Sequence, residues 1–116
     1  MATVGEIESF LKEFKEKLEF WGVIFRSDRE KNYATLKELE LSVIQVKGEL
    51  GRLAVSDYCD GPITERLYNG ACMWVFGRTV RAREIYIKIT MGHPGNEVLC
   101  ISFHFPVTPM KYPYKN

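Results

Sequence analysis

Two stretches in the C-terminal half alternate between apolar and polar residues, and this pattern constrains the fold more than any other feature of the chain. Residues 84–91 read Glu-Ile-Tyr-Ile-Lys-Ile-Thr-Met, with Ile85, Ile87 and Ile89 on one parity and Glu84, Tyr86, Lys88 and Thr90 on the other. Residues 98–105 read Val-Leu-Cys-Ile-Ser-Phe-His-Phe, where Leu99, Ile101, Phe103 and Phe105 alternate with Cys100, Ser102 and His104. Successive side chains of a strand point to opposite faces, so each run has one oily face and one polar face. If the oily faces share a core, Tyr86, Lys88, Ser102 and His104 gather on the other side of the sheet. A third apolar run, Met73 to Arg78, precedes them.

The register is bounded by the same pattern. Gly92 to Asn96 is a turn-forming stretch, so the two alternating runs read as a hairpin. Odd positions must pair with odd positions, because a one-residue slip turns an oily face to water. Two registers satisfy this. One sets Tyr86 against His104 and Lys88 against Ser102; the other sets Tyr86 against Ser102 and Glu84 against His104. Directly opposed Cβ atoms lie roughly 4.5–5.5 Å apart, so either register clusters these polar groups.

The first half of the chain is patterned for helices. Thr3 and Glu6 make a capping box, followed by Val4, Ile7, Phe10, Leu11, Phe14, Leu18 and Trp21 at helical spacing, with Gly22 as a stop. Val23 to Phe25 is a short apolar link or strand, and Arg26 to Asn32 a charged loop or turn of helix. Thr35 and Glu38 repeat the capping signature, for a segment ending near Leu41. Ser42 and Gln45 do so again ahead of Val43, Val46, Leu50 and Leu53. Gly48 and Gly51 weaken that last helix by roughly 1 kcal/mol each relative to alanine, so it needs tertiary packing. A short strand at Leu53 to Val55 and a loop through Asp57, Tyr58, Asp60, Gly61 and Pro62 complete this half. Helices followed by antiparallel strands predict an α+β domain of two layers. N-terminal helices would pack on a curved three- to four-stranded antiparallel sheet. The whole chain, 1–116, reads as one domain, with a helical half of about 1–56, a sheet half of about 57–105 and an extended, proline-rich tail at 106–116.

Composition excludes several classes. At 46% hydrophobic and 27% charged residues the chain is ordinary for a globular domain. No run approaches the ~18 apolar residues of a membrane span, and the first residues lack the pattern of a signal peptide. The three cysteines, Cys59, Cys72 and Cys100, form no CxxC pair and read as reduced, small hydrophobes of a cytoplasmic protein. No glycine-rich nucleotide loop is present. The two histidines, His93 and His104, have no neighbours at ligand spacing, so neither a metal nor a cofactor is expected. Cys100 stands roughly 13 Å from His104 along an extended strand, too far for a nucleophile pair. Charge is uneven. From Tyr58 onward seven Lys/Arg face four Asp/Glu, and before it nine face eleven. That permits an anionic ligand on the sheet half without the footprint of a general nucleic-acid binder.

Met-Trp-Val-Phe-Gly, then Glu-Ile-Tyr-Ile-Lys-Ile-Thr, then Val-Leu-Cys-Ile-Ser-Phe-His, in that order and spacing, resembles the C-terminal sheet of MqsR-family toxins. These are components of type II toxin–antitoxin systems with a RelE-like fold. The Asp57-Tyr58 loop is similar to an Asp-Phe loop preceding the family's strands. The resemblance covers roughly the second half of the chain, and the first helix and the tail mark a divergent branch. It implies a bacterial, ribosome-independent endoribonuclease acting on mRNA and neutralised by a cognate antitoxin, a helix-turn-helix DNA-binding protein encoded nearby. Tyr86 falls on the family's functional tyrosine and His104 on its basic lysine. Val75 stands where the family has a glutamine, and Asp60 where it has a loop lysine.

Metal-free RNA cleavage needs a base for the 2′-hydroxyl, an acid for the leaving 5′-oxygen and cations for the phosphate. His104 and Tyr86 are the candidate catalytic pair. Lys88, Arg78, Arg81, Arg83 and Ser102 are the candidate phosphate-binding residues, the arginines being suited to bidentate contact. Two alternatives stay open: a polar strand face kept only for solubility and cross-strand pairing, and a non-catalytic binding or interaction protein on the same fold.

Overall fold

The architecture is that of a computed structural model describing residues 1–64 and 71–115. It is α+β, as the pattern predicts, with a larger sheet than the two alternating runs require. In chain order the elements are α1 (Val4–Trp21), β1 (Val23–Phe25), α2 (Glu30–Leu39), α3 (Val43–Gly51), a 3₁₀ turn (Val55–Asp57), β2 (Tyr58–Thr64), β3 (Cys72–Val80), β4 (Arg83–Thr90) and β5 (Val98–His104). The strands form one five-stranded sheet in the order β1-β5-β4-β3-β2. β1 lies parallel to β5, and every other pairing is antiparallel.

Both extra strands come from segments the sequence leaves ambiguous. Val23–Phe25 joins the β5 edge, and Tyr58–Thr64, expected as a loop, joins the β3 edge with two register shifts. Leu53 to Val55 is not a strand. Leu53 follows α3 into the core, and the chain then turns through 55–57, where Asp57 Oδ2 accepts the Ala54 N–H at 2.9 Å.

Local chemistry fixes two of the three helix starts. Thr3 Oγ1 accepts the Glu6 N–H while Glu6 Oε1 accepts the Thr3 N–H, and Ser42 and Gln45 do the same at α3. Each box satisfies two of the donors a helix leaves open. α1 ends at Gly22, which has φ 85, a conformation glycine adopts at little cost. α2 differs from expectation: it starts at Glu30, five residues before Thr35. Thr35 is interior and buried, its Oγ1 donating to the Lys31 carbonyl at 2.8 Å. That is the back-bond a mid-helix threonine makes when it is not a cap.

Ile7, Phe10, Leu11, Phe14 and Leu18 of α1, with Val46 and Leu50 of α3, pack on Trp74, Phe76, Ile85, Ile87, Ile89, Val98, Cys100 and Phe103 of the sheet. Phe10 stacks on Trp74 with ring centroids 4.4 Å apart. Trp21, at the end of the α1 stripe, stays exposed and meets Phe20 edge-on.

β4 and β5 adopt the first of the two registers: Tyr86 opposes His104, Ile87 opposes Phe103 and Lys88 opposes Ser102. The strict alternation then breaks. Ile89 pairs with Cys100, leaving Ile101 as an extra residue. A bulge of this kind reverses the facing of everything before it. Cys100 and Val98 therefore enter the core, while Leu99, expected inside, pairs with Thr90 on the other side. Cys100 thus does not share a face with His104.

The bulge is held from outside the sheet. β1 covers only 98–100 of the β5 edge. Beyond it the Asn32 side chain takes over, its Nδ2 donating to the Ile101 and Arg26 carbonyls and its Oδ1 accepting the Phe103 N–H, all at 2.9 Å. Asn32 is buried and completes the backbone pairing that the short strand leaves undone.

Candidate functional site

The sheet face turned away from the α1 side carries a pocket of about 550 Å³. Its floor is Val75 from β3, Tyr86 and Lys88 from β4, and Ser102 and His104 from β5. Cys59, Asp60 and Ile63 of β2 form one wall, and Arg29 enters from the turn before α2. Residues 106–111 of the tail form the remaining wall. A volume of this order suits a small-molecule or single-nucleotide group.

Cross-strand pairing places the two candidate catalytic rings in contact. Tyr86 and His104 stack with centroids 5.3 Å apart and planes 18° apart. His104 Nδ1 lies 2.9 Å from the Phe105 carbonyl. A carbonyl only accepts, so Nδ1 carries a proton, and in the neutral ring Nε2 keeps its lone pair. Burial lowers the imidazole's proton affinity below the ordinary histidine value. The charges of Lys31, Arg29 and Lys88 act in the same sense and the Phe105 carbonyl against it. The Tyr86 hydroxyl is pushed the other way, held protonated by burial and by the negative field of Asp60. The pair therefore stands as a neutral acceptor beside a neutral donor at pH 7, the opposed bias that acid–base chemistry uses. Cys59 is no competing nucleophile, because burial and then Glu84, Asp57 and Asp60 raise its thiol to about 12.

Lys88 and Ser102 join this cluster, although Ser102 is almost fully buried beneath it. The three arginines do not. Arg78 pairs with Ile85 and so shares the core-side parity, where its Nε meets Glu49 Oε1 at 2.7 Å and its guanidinium reaches Asp57 at 3.7 Å. Arg83 has the same parity, binds Glu38 at 2.9 Å and lies over the Phe105 ring at 4.1 Å. Arg81 occupies the β3–β4 turn beside α3. Arg78 and Arg83 are thus committed to tying helices to the sheet, and none of the three lines the pocket. In their place the fold supplies Arg29 and Lys111, neither flagged by strand patterning. Asp60, noted in the sequence as a loop residue, sits in the β2 wall with its Oδ1 accepting the Gly61 N–H at 2.8 Å.

The tail is pinned across the open face. Tyr112 Oη donates to Glu84 Oε2 at 2.8 Å and lies directly over Gly77, where a Cβ would come within 2.3 Å of that oxygen. Tyr114 donates to the Ala2 carbonyl at 2.6 Å and packs beside Tyr58, ring centroids 6.0 Å apart. A wider depression of about 840 Å³ lies between α1 and the ends of β3 and β4, lined by Glu6 and Glu13 and by no Lys, Arg or His among its described residues. Its charge has the wrong sign for a phosphate. Among the described residues no three His, Cys, Asp or Glu side chains gather as metal ligands, and no helix is long and apolar enough to cross a membrane.

Compared with models of known families, with curated proteins and with solved structures, the chain matches none of them.

Proposed function

We propose that the protein is a metal-independent endoribonuclease acting on single-stranded mRNA, the toxin half of a toxin–antitoxin pair with a RelE-like ancestry. The observation that carries this reading is the stacked Tyr86–His104 pair, with Lys88 beside it, in a pocket of nucleotide size. In the reaction His104 Nε2 takes the proton of the 2′-hydroxyl, and the 2′-oxygen attacks phosphorus. The bond from phosphorus to the 5′-oxygen breaks, and the Tyr86 hydroxyl gives that oxygen its proton. Lys88 holds a non-bridging oxygen as charge develops. The products are a 2′,3′-cyclic phosphate and a 5′-hydroxyl end. Nothing in this sequence calls for a metal. The accompanying partner is an antitoxin, which co-expression and pull-down with the product of the adjacent gene would recover.

The experiment is cleavage of single-stranded RNA in excess chelator, wild type against His104→Ala and Tyr86→Phe, with end-group analysis. Loss of a general acid or base lowers the rate by about 10²–10⁴-fold, and His104→Ala should also relieve growth arrest on induced expression. Uncut RNA across pH 5 to 8, or His104→Ala cutting at the wild-type rate, refutes the mechanism. One specific observation favours a second reading, a non-catalytic RNA- or protein-binding relative. Val75 puts an apolar floor, and Asp60 an acid wall, where the toxins have a glutamine and a lysine. That reading expects binding without cleavage in the same assay.

A further inference from the structure

The cation the chemistry demands is not among the arginines of the hairpin, and the pattern of ion pairs shows where it is. Arg26 is paired with Asp28, Arg52 and Arg78 with Glu49, and Arg83 with Glu38. Arg29 is exposed, lines the pocket that holds Tyr86, Lys88 and His104, and makes no salt bridge among the described residues, although its charge bears on the neighbouring Asp28 carboxylate. Its one side-chain hydrogen bond among the described residues is a long one, 3.4 Å, from a terminal nitrogen to the Ile101 carbonyl. That contact steadies the side chain and leaves Nε and the second terminal nitrogen free, the edge that grips two phosphate oxygens at once.

Its position is fixed by the backbone as well. Arg29 is the residue before α2, and Asn32, three residues on, locks the first turn of α2 to Ile101 and Phe103 of β5. Ser102 and His104 belong to that same stretch of β5. The guanidinium and the imidazole are therefore carried on two segments joined by buried hydrogen bonds, so their separation is preset. Lys88 on the floor and Lys111 on the tail wall place further positive charge around the opening, and Asp60 supplies the only acid among the described lining residues.

We propose that Arg29 is the phosphate-anchoring residue of this site, gripping the RNA backbone bidentately beside the Tyr86–His104 pair. This rests on the endoribonuclease reading for its substrate class, but its test needs no cleavage. The probe is a single-stranded 2′-O-methyl oligoribonucleotide of mixed sequence, which lacks the attacking hydroxyl and stays intact. Its binding is followed by fluorescence anisotropy over a salt series for wild type, Arg29→Ala, Arg29→Lys and, as a control, Lys12→Ala on the solvent face of α1. Arg29→Ala should weaken binding about tenfold, and the slope of log K against log salt should fall by about 0.7, the loss of one phosphate contact to a single strand. Arg29→Lys should restore the slope and only part of the affinity, because an ammonium replaces the charge without the fork. Lys12→Ala should change neither. Because Arg29 is exposed, unaltered thermal unfolding of the variants is the expected check on their folding. Wild-type protein that fails to bind the probe, or Arg29→Ala binding with unchanged affinity and slope, overturns the proposal. Probe binding that depends on Arg29 while natural RNA stays uncut upholds the anchor and removes the cleavage reading. Cleavage with binding indifferent to Arg29 does the reverse.

Discussion

Asn32→Ala is the substitution that most sharply tests how this fold is held. The side chain is 1% exposed and makes three hydrogen bonds of 2.9 Å, two given to the Arg26 and Ile101 carbonyls and one taken from the Phe103 N–H. Alanine removes all three and leaves the groups they serve without this partner. A buried backbone group left without a partner costs about 1–3 kcal/mol. The Phe103 N–H bears that cost in full, whereas the Ile101 carbonyl keeps its 3.4 Å contact from Arg29 and the Arg26 carbonyl is only partly buried. The expected loss is therefore about 3–5 kcal/mol, the sum of one complete and two partial penalties. That is a large share of the ~5–15 kcal/mol that holds a typical domain together. Urea unfolding followed by circular dichroism measures it directly. Asn32→Asp supplies a second arm: it keeps the acceptor for Phe103 but turns a carboxylate oxygen toward two carbonyls, so at neutral pH it should be at least as damaging as alanine. A loss below about 1 kcal/mol for Asn32→Ala would mean that the bulge does not need this side chain, and the account of β5 given above would be wrong.

Other consequences are accessible to the same methods. Gly77→Ala puts a Cβ where the Tyr112 hydroxyl lies, so Tyr112 must leave Glu84; the expected result is a loss of about 1–3 kcal/mol, the usual cost of overpacking, with new protease cleavage in 106–115, and an unchanged digestion pattern would count against a pinned tail. The β3–β4 turn carries Arg81 at φ 50 and Ala82 at φ 66, left-handed values that cost a non-glycine residue roughly 1–2 kcal/mol. Ala82→Gly, or Arg81→Asn with Ala82→Gly, should therefore raise the melting temperature, and a fall would show that the turn is not strained. Since burial depresses the His104 pKa, the acid limb of kcat/KM for the proposed RNA cleavage should fall below the ordinary histidine value of about 6.5 rather than at it. The same depression means the unfolded chain binds this proton more readily, so stability should be lost as pH falls below about 6.5, and His104→Gln should blunt that loss.

What the sequence discloses and what it hides divides along the range of the interactions. The capping boxes at Thr3/Glu6 and Ser42/Gln45 are closed by residues three apart, so they are readable and they form. The start of α2 is not, because Arg29 makes no side-chain cap and Thr35, a convincing cap by type, spends its hydroxyl on Lys31. Alternation narrows the hairpin to two registers, and the one adopted, Tyr86 with His104 and Lys88 with Ser102, lies on the regular side of the bulge. Leu99 and Cys100 lie beyond it, and nothing local marks Ile101 as the extra residue. Parity also carried a warning that composition obscured: Arg83 stands two residues from Ile85 and so belongs to the helix side of the sheet, however useful its charge would be on the other. Arg29 reaches the pocket only because a three-residue strand adds in parallel to the β5 edge, a long-range pairing with no sequence signature of its own.

The bulge explains why one strand can serve both a core and a polar site. Unbroken alternation along 98–105 would bury Leu99 and put Val98 and Cys100 on the face that carries Tyr86 and Lys88, lining it with apolar side chains. The extra residue lets Val98 and Cys100 face the helices while Ser102 and His104 keep the side that Tyr86 and Lys88 occupy. Beyond the end of β1 the outer edge of this bulged stretch still needs partners for its backbone groups, and Asn32 is the partner. Because Asn32 sits on the first turn of α2, satisfying the bulge also draws that turn, with Arg29 at its head, against the end of β5 that bears His104. Folding stability and the spacing of the imidazole from the guanidinium are thus set by one amide. If the site binds RNA as proposed, conservative changes at Asn32 should disturb that binding even in variants that remain folded, whereas equally destabilising changes in the α1 face, far from this junction, should lower stability and leave the affinity of the folded fraction unchanged.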